Sequence, residues 1–139
     1  MNVLIDASVW SLALRRKNQG LSTNERFLVA ELSQLIREGQ ARMIGLVRQE
    51  LHSSIMATEQ YQKLRLHLRS FPDEVVDASD FEEVAKAGNR CRAKGVVVSI
   101  VDILRCAVAN KRLWTIFTTD PDFSNYAKVL PLRIDAPRR

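Results

Sequence analysis

The segment "NVLIDASVW" (residues 2–10) begins as a short apolar run rich in β-forming residues, and this run ends at the carboxylate of Asp6. Continuous apolar runs of this kind are typical of strands in a parallel sheet that is covered on both faces. An ionised carboxylate at the end of a buried strand is costly unless it has a partner. Asp6 therefore has two interpretations: it caps the helix that follows, or it belongs to a group of carboxylates that binds a metal ion.

Strand-like segments alternate with helical segments along the rest of the chain. The predicted strands are 2–5, 41–45, 74–79, 113–119 and 131–134. The predicted helices run from 7 to about 17, 22 to 38, 47 to 57 with a continuation to 72, 80 to 94, 99 to about 110 and 122 to 130. This order predicts βα units with right-handed crossovers and a mostly parallel sheet. The length suits one α/β domain spanning residues 1–139.

The charge of the chain hints at a polyanionic partner. The formal net charge is +5 and the isoelectric point is near 9.6. Lysine and arginine side chains neutralise phosphates and release counter-ions, so a basic protein suits nucleic acid. An ordinary solvated surface explains the same charge equally well.

The cysteines and the apolar runs favour a cytoplasmic protein without a membrane span. Cys91 and Cys106 form no CxxC pattern and each lies in an apolar helical stretch, which suits two unpaired thiols in a reducing compartment. No signal-peptide pattern opens the sequence, and the apolar runs are far shorter than a membrane span. No glycine-rich phosphate-binding motif is present, so a nucleotide cofactor is not indicated.

Several carboxylates lie in surroundings more apolar than a solvated charge prefers. They are Asp6, Glu50 in "IGLVRQELHSS", Asp102 in "VVVSIVDILRCAVA", and Asp120 and Asp122 after "WTIFTT". Because parallel strands end at one edge of a sheet, Asp6 and Asp120 are expected to emerge side by side. Taken singly, each acid has an ordinary explanation as a helix cap, as part of a capping box with Ser99 in the case of Asp102, or as a first-turn residue.

Taken together, these acids favour a metal site. Carboxylates that share a pocket repel one another, and without a cation at least one of them should hold its proton. A hard divalent cation such as Mg²⁺ removes this repulsion and prefers oxygen ligands. Such an ion lowers the pKa of a bound water and stabilises charge on phosphoryl oxygens, which suits hydrolysis of a phosphodiester. His52 and His67 have no metal-ligand spacing, and Trp10 and Trp114 are best interpreted as core residues.

Four stretches resemble motifs of the PIN-domain family, in particular the VapC-like toxins of prokaryotic toxin–antitoxin pairs. They are "LIDASVW", "GLVRQEL", "SIVDILRCAVA" and "FTTDPDF", which occur in the family's order over nearly the whole chain. The resemblance implies a three-layer α/β/α fold with a mostly parallel sheet of about five strands. It also implies a Mg²⁺- or Mn²⁺-dependent endoribonuclease. The segment "HSS" departs from the pattern, since His52 stands where many relatives have a small residue.

The resemblance carries over to individual residues. The acidic metal-site positions of the family are matched by Asp6, Glu50, Asp102 and Asp120, with Asp122 matching an additional acid. Ser8 and Thr118 match hydroxyl positions that order the site. The basic residues Arg15, Arg16, Lys17, Arg48 and Arg105 are candidates for surface charge, for RNA contact, or for pairing with the site acids.

The resemblance also implies partners, and two other functions stay open beside it. VapC-like proteins commonly form homodimers and are inhibited by an antitoxin, which would bind an apolar groove near helices 7–16 and 23–38. One alternative is a catalytically inactive PIN-like module that only binds RNA or protein. Another is a phospho-acceptor signalling domain, which would need an acidic pair after the first strand and a lysine after a late strand. "LIDASVW" has one acid and "TIFTTDPDF" has no lysine.

Overall fold

The computed structural model describes residues 1–14, 20–53 and 55–138, and within them it has four strands and seven helices. The strands are β1 (Val3–Ile5), β2 (Ala41–Ile44), β3 (Asp73–Glu74) and β4 (Thr115–Phe117). The helices are α1 (Ala7–Ala13), α2 (Thr23–Arg37), α3 (Gly45–Ser53), α4 (Thr58–Leu68), α5 (Ala78–Ala93), α6 (Ile100–Lys111) and α7 (Asp122–Ala127).

The strands form one parallel sheet in the order β3-β2-β1-β4. Val3 is in register with Ala41 of β2 on one side and with Thr115 of β4 on the other. The strand predicted at 131–134 contributes one parallel bridge, between Ile134 and Ile116, beside β4. The α/β fold with a parallel sheet flanked by helices is confirmed, and the predicted fifth strand is reduced to this bridge.

The sheet is covered on both faces, as its continuous apolar strands predict. All three residues of β1 are buried, and so are Ile116 and Phe117 of β4. Trp10 and Trp114 lie in the core, as predicted. The thiols of Cys91 and Cys106 are both buried and unpaired. Since β1 lies between β2 and β4, its carboxyl end opens directly onto the central part of the sheet edge.

The helix predicted from 47 through 57 to 72 is divided, which is a correction to the sequence prediction. Helix α3 ends at Ser53, and α4 occupies only Thr58–Leu68. The Ser53 hydroxyl donates to the Gln49 carbonyl at 2.6 Å. Serine side chains compete in this way with backbone hydrogen bonds and weaken the end of a helix.

The strand predicted at 74–79 is also shorter, because a helix cap follows it closely. Asp77 accepts hydrogen bonds from the backbone N–H groups of Ser79 and Asp80, and Asp80 in turn accepts from the N–H of Asp77. This reciprocal capping box starts α5 at Ala78 and leaves β3 two residues long. The predicted capping box of Ser22 and Glu25 is confirmed at the start of α2.

No helix in the described ranges combines the length and the apolar character that crossing a membrane requires.

Candidate metal centre

The carboxyl ends of β1 and β4 bring Asp6 next to the segment Thr118–Asp120. The backbone N–H of Asp6 donates to the carbonyl of Phe117 at 2.9 Å, which fixes the two strand ends side by side. Asp6 occupies the N-cap position of α1, but its side chain makes no capping hydrogen bond. The capping explanation therefore does not account for the carboxylate of Asp6, which faces other side chains.

Two hydroxyl groups hold one oxygen of Asp6. Oδ2 of Asp6 accepts hydrogen bonds from Ser8 Oγ at 2.9 Å and from Thr118 Oγ1 at 2.8 Å. Each hydroxyl is itself oriented by the backbone of the loop after β4. Ser8 Oγ accepts from the N–H of Thr119 at 3.1 Å, and Thr118 Oγ1 accepts from the N–H of Asp120 at 3.0 Å. Ser8 and Thr118 thus join the two strand ends into one hydrogen-bonded unit.

Asp102 enters the site from the first turn of α6. Ser99 makes no side-chain capping bond there, so the predicted capping box of Ser99 and Asp102 is wrong. Instead, Oδ2 of Asp102 accepts a hydrogen bond from the hydroxyl of Tyr126 at 3.1 Å. Its Oδ1 faces the guanidinium of Arg105 at 3.2 Å. Both oxygens of Asp102 are therefore held by side chains rather than by the start of its own helix.

The surroundings of Asp102 favour its protonated form. Burial raises the pKa of Asp102, and the nearby carboxylates of Asp120 and Asp6 raise it further. The hydrogen bond from Tyr126 acts in the opposite direction and lowers it. Burial and the charge of Asp102 raise the pKa of Tyr126 to about 12, so the phenol remains a hydrogen-bond donor near neutral pH. Burial is the larger cause, and the crowding of carboxylates that the sequence predicts adds to it.

Asp102, Asp120 and Asp122 form a three-carboxylate group. One oxygen from each lies within 4.8 Å of the others. The Asp120 Oδ1 also accepts from the N–H of Asp122 at 2.9 Å, and Asp122 lies in the first turn of α7, so both acids shape the turn as well. Opposite oxygen ligands of a Mg²⁺ ion lie about 4.2 Å apart, and Mg²⁺ and Mn²⁺ both accept carboxylate ligands. The donor set therefore fits a hard divalent cation.

Arg105 lies among the remaining acids. Its side chain is 3% exposed and forms ion pairs with three carboxylates, those of Asp6, Glu50 and Asp102. Nε lies 2.9 Å from Asp6 Oδ1, although its N–H makes no hydrogen bond with suitable geometry, so this contact is an ion pair only. The guanidinium also donates to the carbonyl of Val101 at 3.1 Å.

Glu50 approaches from the other side of Arg105. It lies in the middle of α3 and not in the first turn, so the interpretation as a first-turn residue is wrong. Its Oε1 contacts the guanidinium of Arg105. Within the described residues, Glu50 and Asp6 do not belong to the group formed by Asp102, Asp120 and Asp122. The site thus has two parts, a three-carboxylate group and a part held by Arg105.

The candidate RNA-binding arginines are engaged with protein groups. Arg105 pairs with the site acids, which is the alternative that the sequence left open. Arg48 pairs with Asp73 at 2.9 Å and donates to the carbonyls of Leu68 and Phe71. Arg15, Arg16 and Lys17 lie outside the described residues. His52 Nδ1 donates to the Arg48 carbonyl at 2.9 Å, and the His52 ring contacts that of Tyr61, with 4.7 Å between ring centroids.

Sequence reasoning missed Tyr126, and it named Arg105 without predicting that it joins three acids. Tyr126 follows Asp122 by four residues in α7, and residues at this spacing share a helix face. Arg105 follows Asp102 by three residues in α6, which has the same consequence. The spacing signals were present, but neither indicates which distant side chains share the site.

Comparisons with known proteins agree with this architecture. The PIN domain model matches residues 3–129. FitAcB from Neisseria gonorrhoeae superposes with a TM-score of 0.76 at 19% identity, and the match covers 97% of each chain. VapBC2 from Rickettsia felis bound to a promoter DNA fragment has a TM-score of 0.76 at 16% identity, over 97% of this chain and 98% of that chain. VapBC-1 from nontypeable Haemophilus influenzae has a TM-score of 0.70 at 15% identity, over 97% of each chain. No curated protein matches the chain significantly by sequence.

Proposed function

Because the chain belongs to the PIN-domain family, we propose that it is a Mg²⁺- or Mn²⁺-dependent endoribonuclease that cleaves RNA phosphodiesters. The observation that carries the proposal is the group of Asp102, Asp120 and Asp122, whose oxygens lie within 4.8 Å of one another. Family membership supports nuclease chemistry in general, and the acidic group supports its dependence on a divalent cation.

Different residues of the site bind the ion and orient the residues that bind it. Asp102, Asp120 and Asp122 hold the ion, and Tyr126 keeps Asp102 oriented through its hydroxyl. Ser8 and Thr118 orient Asp6 at the end of β1. When bound, the ion supplies a more acidic water and a positive charge next to the phosphate oxygens.

The net charge of +5 favours a polyanion as substrate. Part of the site is open to solvent, since Asp122 is exposed and Asp102 and Asp120 are partly exposed. An RNA strand can approach these acids from the solvent side without unfolding either α6 or α7.

We propose further that the chain is the toxin of a toxin–antitoxin pair, as its resemblance to VapC-like proteins implies. The structures it resembles are described as VapBC and FitAcB, and one of them is bound to promoter DNA. The antitoxin would bind near α1 and α2, where Leu14 and Ile36 are each 37% exposed. Homodimer formation and a cytoplasmic location belong to the same proposal.

Cleavage assays with purified chain test the enzymatic proposal. Single-stranded RNA, and DNA of the same sequence, are incubated with the protein in Mn²⁺ or EDTA. We expect cleavage of RNA in Mn²⁺ only, and its loss in Asp102→Asn and Asp120→Asn variants that keep the wild-type circular dichroism spectrum. Glu59→Gln is the matched control, because Glu59 is an exposed carboxylate paired with Lys63 on α4. Undiminished cleavage by both aspartate variants would refute the assignment.

The alternative is a catalytically inactive PIN-like module that only binds RNA or protein. Titration with Mn²⁺ separates the two functions, because a ligand that binds only the folded state raises the melting temperature. A module with an inactive site would bind RNA without any shift in melting temperature on adding Mn²⁺. The retention of all five acids, Asp6, Glu50, Asp102, Asp120 and Asp122, favours the enzyme.

A further inference from the structure

We propose that Arg105 is an internal counter-ion of the metal centre, which occupies the inward faces of Asp6 and Asp102 and is displaced when a divalent cation binds. The proposal rests on the metal-dependent function proposed above. It makes Arg105 a competitor of the cation for the same carboxylate oxygens instead of a contact for RNA.

The geometry places one guanidinium where several carboxylates converge. Arg105 pairs with three acids from different elements. They are Asp6 at the end of β1, Glu50 in α3 and Asp102 in the same helix as Arg105. The Arg105 side chain is 3% exposed, so the guanidinium itself lies inside the protein. A charge buried to this degree is stable only if it is paired, and here it pairs with more than one opposite charge.

The oxygens of Asp6 and Asp102 are divided between hydroxyl donors and Arg105. In Asp6, Oδ2 accepts from Ser8 and Thr118, and Oδ1 faces Arg105. In Asp102, Oδ2 accepts from Tyr126, and Oδ1 faces Arg105. Each carboxylate thus has one oxygen fixed by hydroxyl groups and one oxygen held by the guanidinium. A cation that recruits Oδ1 of either residue must compete with Arg105 for it.

The charges explain why the competition is strong. Three carboxylates, those of Asp6, Glu50 and Asp102, surround one guanidinium, and Asp102 also belongs to the group with Asp120 and Asp122. A divalent cation carries twice the charge of Arg105 and is attracted to the same oxygens, while it repels the guanidinium at short range. The two cations therefore oppose each other's binding, and this coupling is reciprocal.

The exposure of the three acids paired with Arg105 indicates where the guanidinium moves when a cation binds. The side chain of Glu50 is 36% exposed, against 8% for Asp6 and 16% for Asp102. Arg105 can therefore release Asp6 and Asp102 and keep Glu50 at the solvent side of the site. An arginine side chain is long enough to make this change without movement of α6.

Mn²⁺ binding by the full chain tests the proposal, with an Arg105→Met variant and Arg112→Met as the matched control. Arg112 lies two turns further along the chain and also pairs with a buried acid, Asp80, at 2.8 Å. We expect Arg105→Met to bind Mn²⁺ about tenfold more tightly than the wild type by calorimetry, since a competing charge is removed. Its melting temperature should fall without metal and recover in saturating Mn²⁺. The Arg112→Met substitution should lower the melting temperature by the same number of degrees with and without Mn²⁺.

Other outcomes are equally decisive. If Arg105→Met binds Mn²⁺ as tightly as the wild type or more weakly, Arg105 does not compete with the cation, while the proposed function stands. If neither protein binds Mn²⁺, the proposed function and the role of Arg105 both fail.

A crystal structure of the wild type with Mn²⁺ covers the case in which Arg105→Met does not fold. We expect the guanidinium to have left Asp6 and Asp102 and to remain near Glu50. A bound ion next to three intact Arg105 ion pairs would overturn the proposal and leave the proposed function in place.

Discussion

Tyr126 donates its hydroxyl hydrogen to Oδ2 of Asp102 at 3.1 Å, which joins α7 to α6 across the candidate metal centre. Both residues have a buried or half-buried side chain, and each affects the ionisation of the other. The hydrogen bond lowers the pKa of Asp102, whereas burial raises it. The contact therefore favours the ionised form of Asp102, which is the form that binds a cation.

A Tyr126→Phe variant should bind Mn²⁺ more weakly, by about three- to tenfold, which corresponds to the loss of one hydrogen bond of about 0.5–1.5 kcal/mol. The pKa of Asp102 should rise in the metal-free protein, since a contact that lowers it is removed. Calorimetry at several pH values measures both effects, and the loss of affinity should be larger at acidic pH. Tyr61→Phe on the exposed face of α4 is the control. Equal affinities in the two variants would show that Tyr126 does not support Asp102.

Ser8→Ala and Thr118→Val variants should each lower the rate of RNA cleavage about tenfold, because each hydroxyl donates a hydrogen bond of about 1.5 kcal/mol to a charged oxygen. The two hydroxyls hold the same oxygen of Asp6, so the double variant should lose less than the product of the single losses. Single-turnover cleavage rates measure this. Ser53→Ala is the control, since the Ser53 hydroxyl donates to the Gln49 carbonyl at the end of α3. Fully multiplicative losses would contradict a shared function of the two hydroxyls.

An Asp80→Asn variant should lose about 2 kcal/mol of stability at pH 7, since Arg112 loses its buried partner and keeps the partly exposed Glu74. Asp80 is fully buried and receives two hydrogen bonds from Arg112, at 2.8 and 3.0 Å. These contacts hold the pKa of Asp80 far below its usual value of 3.8. The stabilisation is therefore complete above pH 4 and is lost as the pH falls towards the folded-state pKa. Urea unfolding at pH 7 and pH 3 should show the smaller difference between variant and wild type at pH 3.

The contribution of Asp135 to stability changes with pH in the opposite direction to that of Asp80. Burial raises the pKa of Asp135 to about 7, and contact with Glu31 contributes to the shift. A raised folded-state pKa gives stability that is complete below the unfolded value of 3.8 and is lost as the pH rises to about 7.

Asp135→Asn should consequently be more stable than the wild type at pH 8, by about 3 °C in melting temperature. At pH 5 this advantage should be smaller, because the carboxyl of the folded wild type is then protonated, and it should disappear only below the unfolded value of 3.8. Thermal unfolding at both pH values measures the difference. Asp77→Asn is a control with the opposite trend, since hydrogen bonds lower the pKa of Asp77. An advantage of the same size at pH 5 and pH 8 would argue against ionisation of Asp135 as its cause.

The ends of helices and strands could be predicted from the sequence only where hydrogen bonds between neighbouring residues fix them. The capping box of Ser22 and Glu25 starts α2, and Gly39 follows its end with a φ of 69°. The second capping box, of Asp77 and Asp80, is equally local but lies inside a segment that has the apolar character of a strand. Its side-chain hydrogen bonds outweigh β-propensity, which is a weak preference.

The alternation of strands and helices follows from the residue pattern alone, and it implies the parallel sheet and the edge at which Asp6 and Asp120 emerge. These features depend on residue spacing and on the handedness of βα connections, and both are properties of short segments. The sequence also indicated which carboxylates have surroundings too apolar for ordinary surface charges.

The division of those carboxylates into two groups depends on how the folded chain packs. Asp102 joins Asp120 and Asp122, while Arg105 holds Asp6, Glu50 and Asp102 together. The choice depends on distances between side chains that are far apart in sequence and on the burial of one guanidinium. Electrostatic energies change steeply with both quantities, and neither can be obtained from the spacing of residues along the chain.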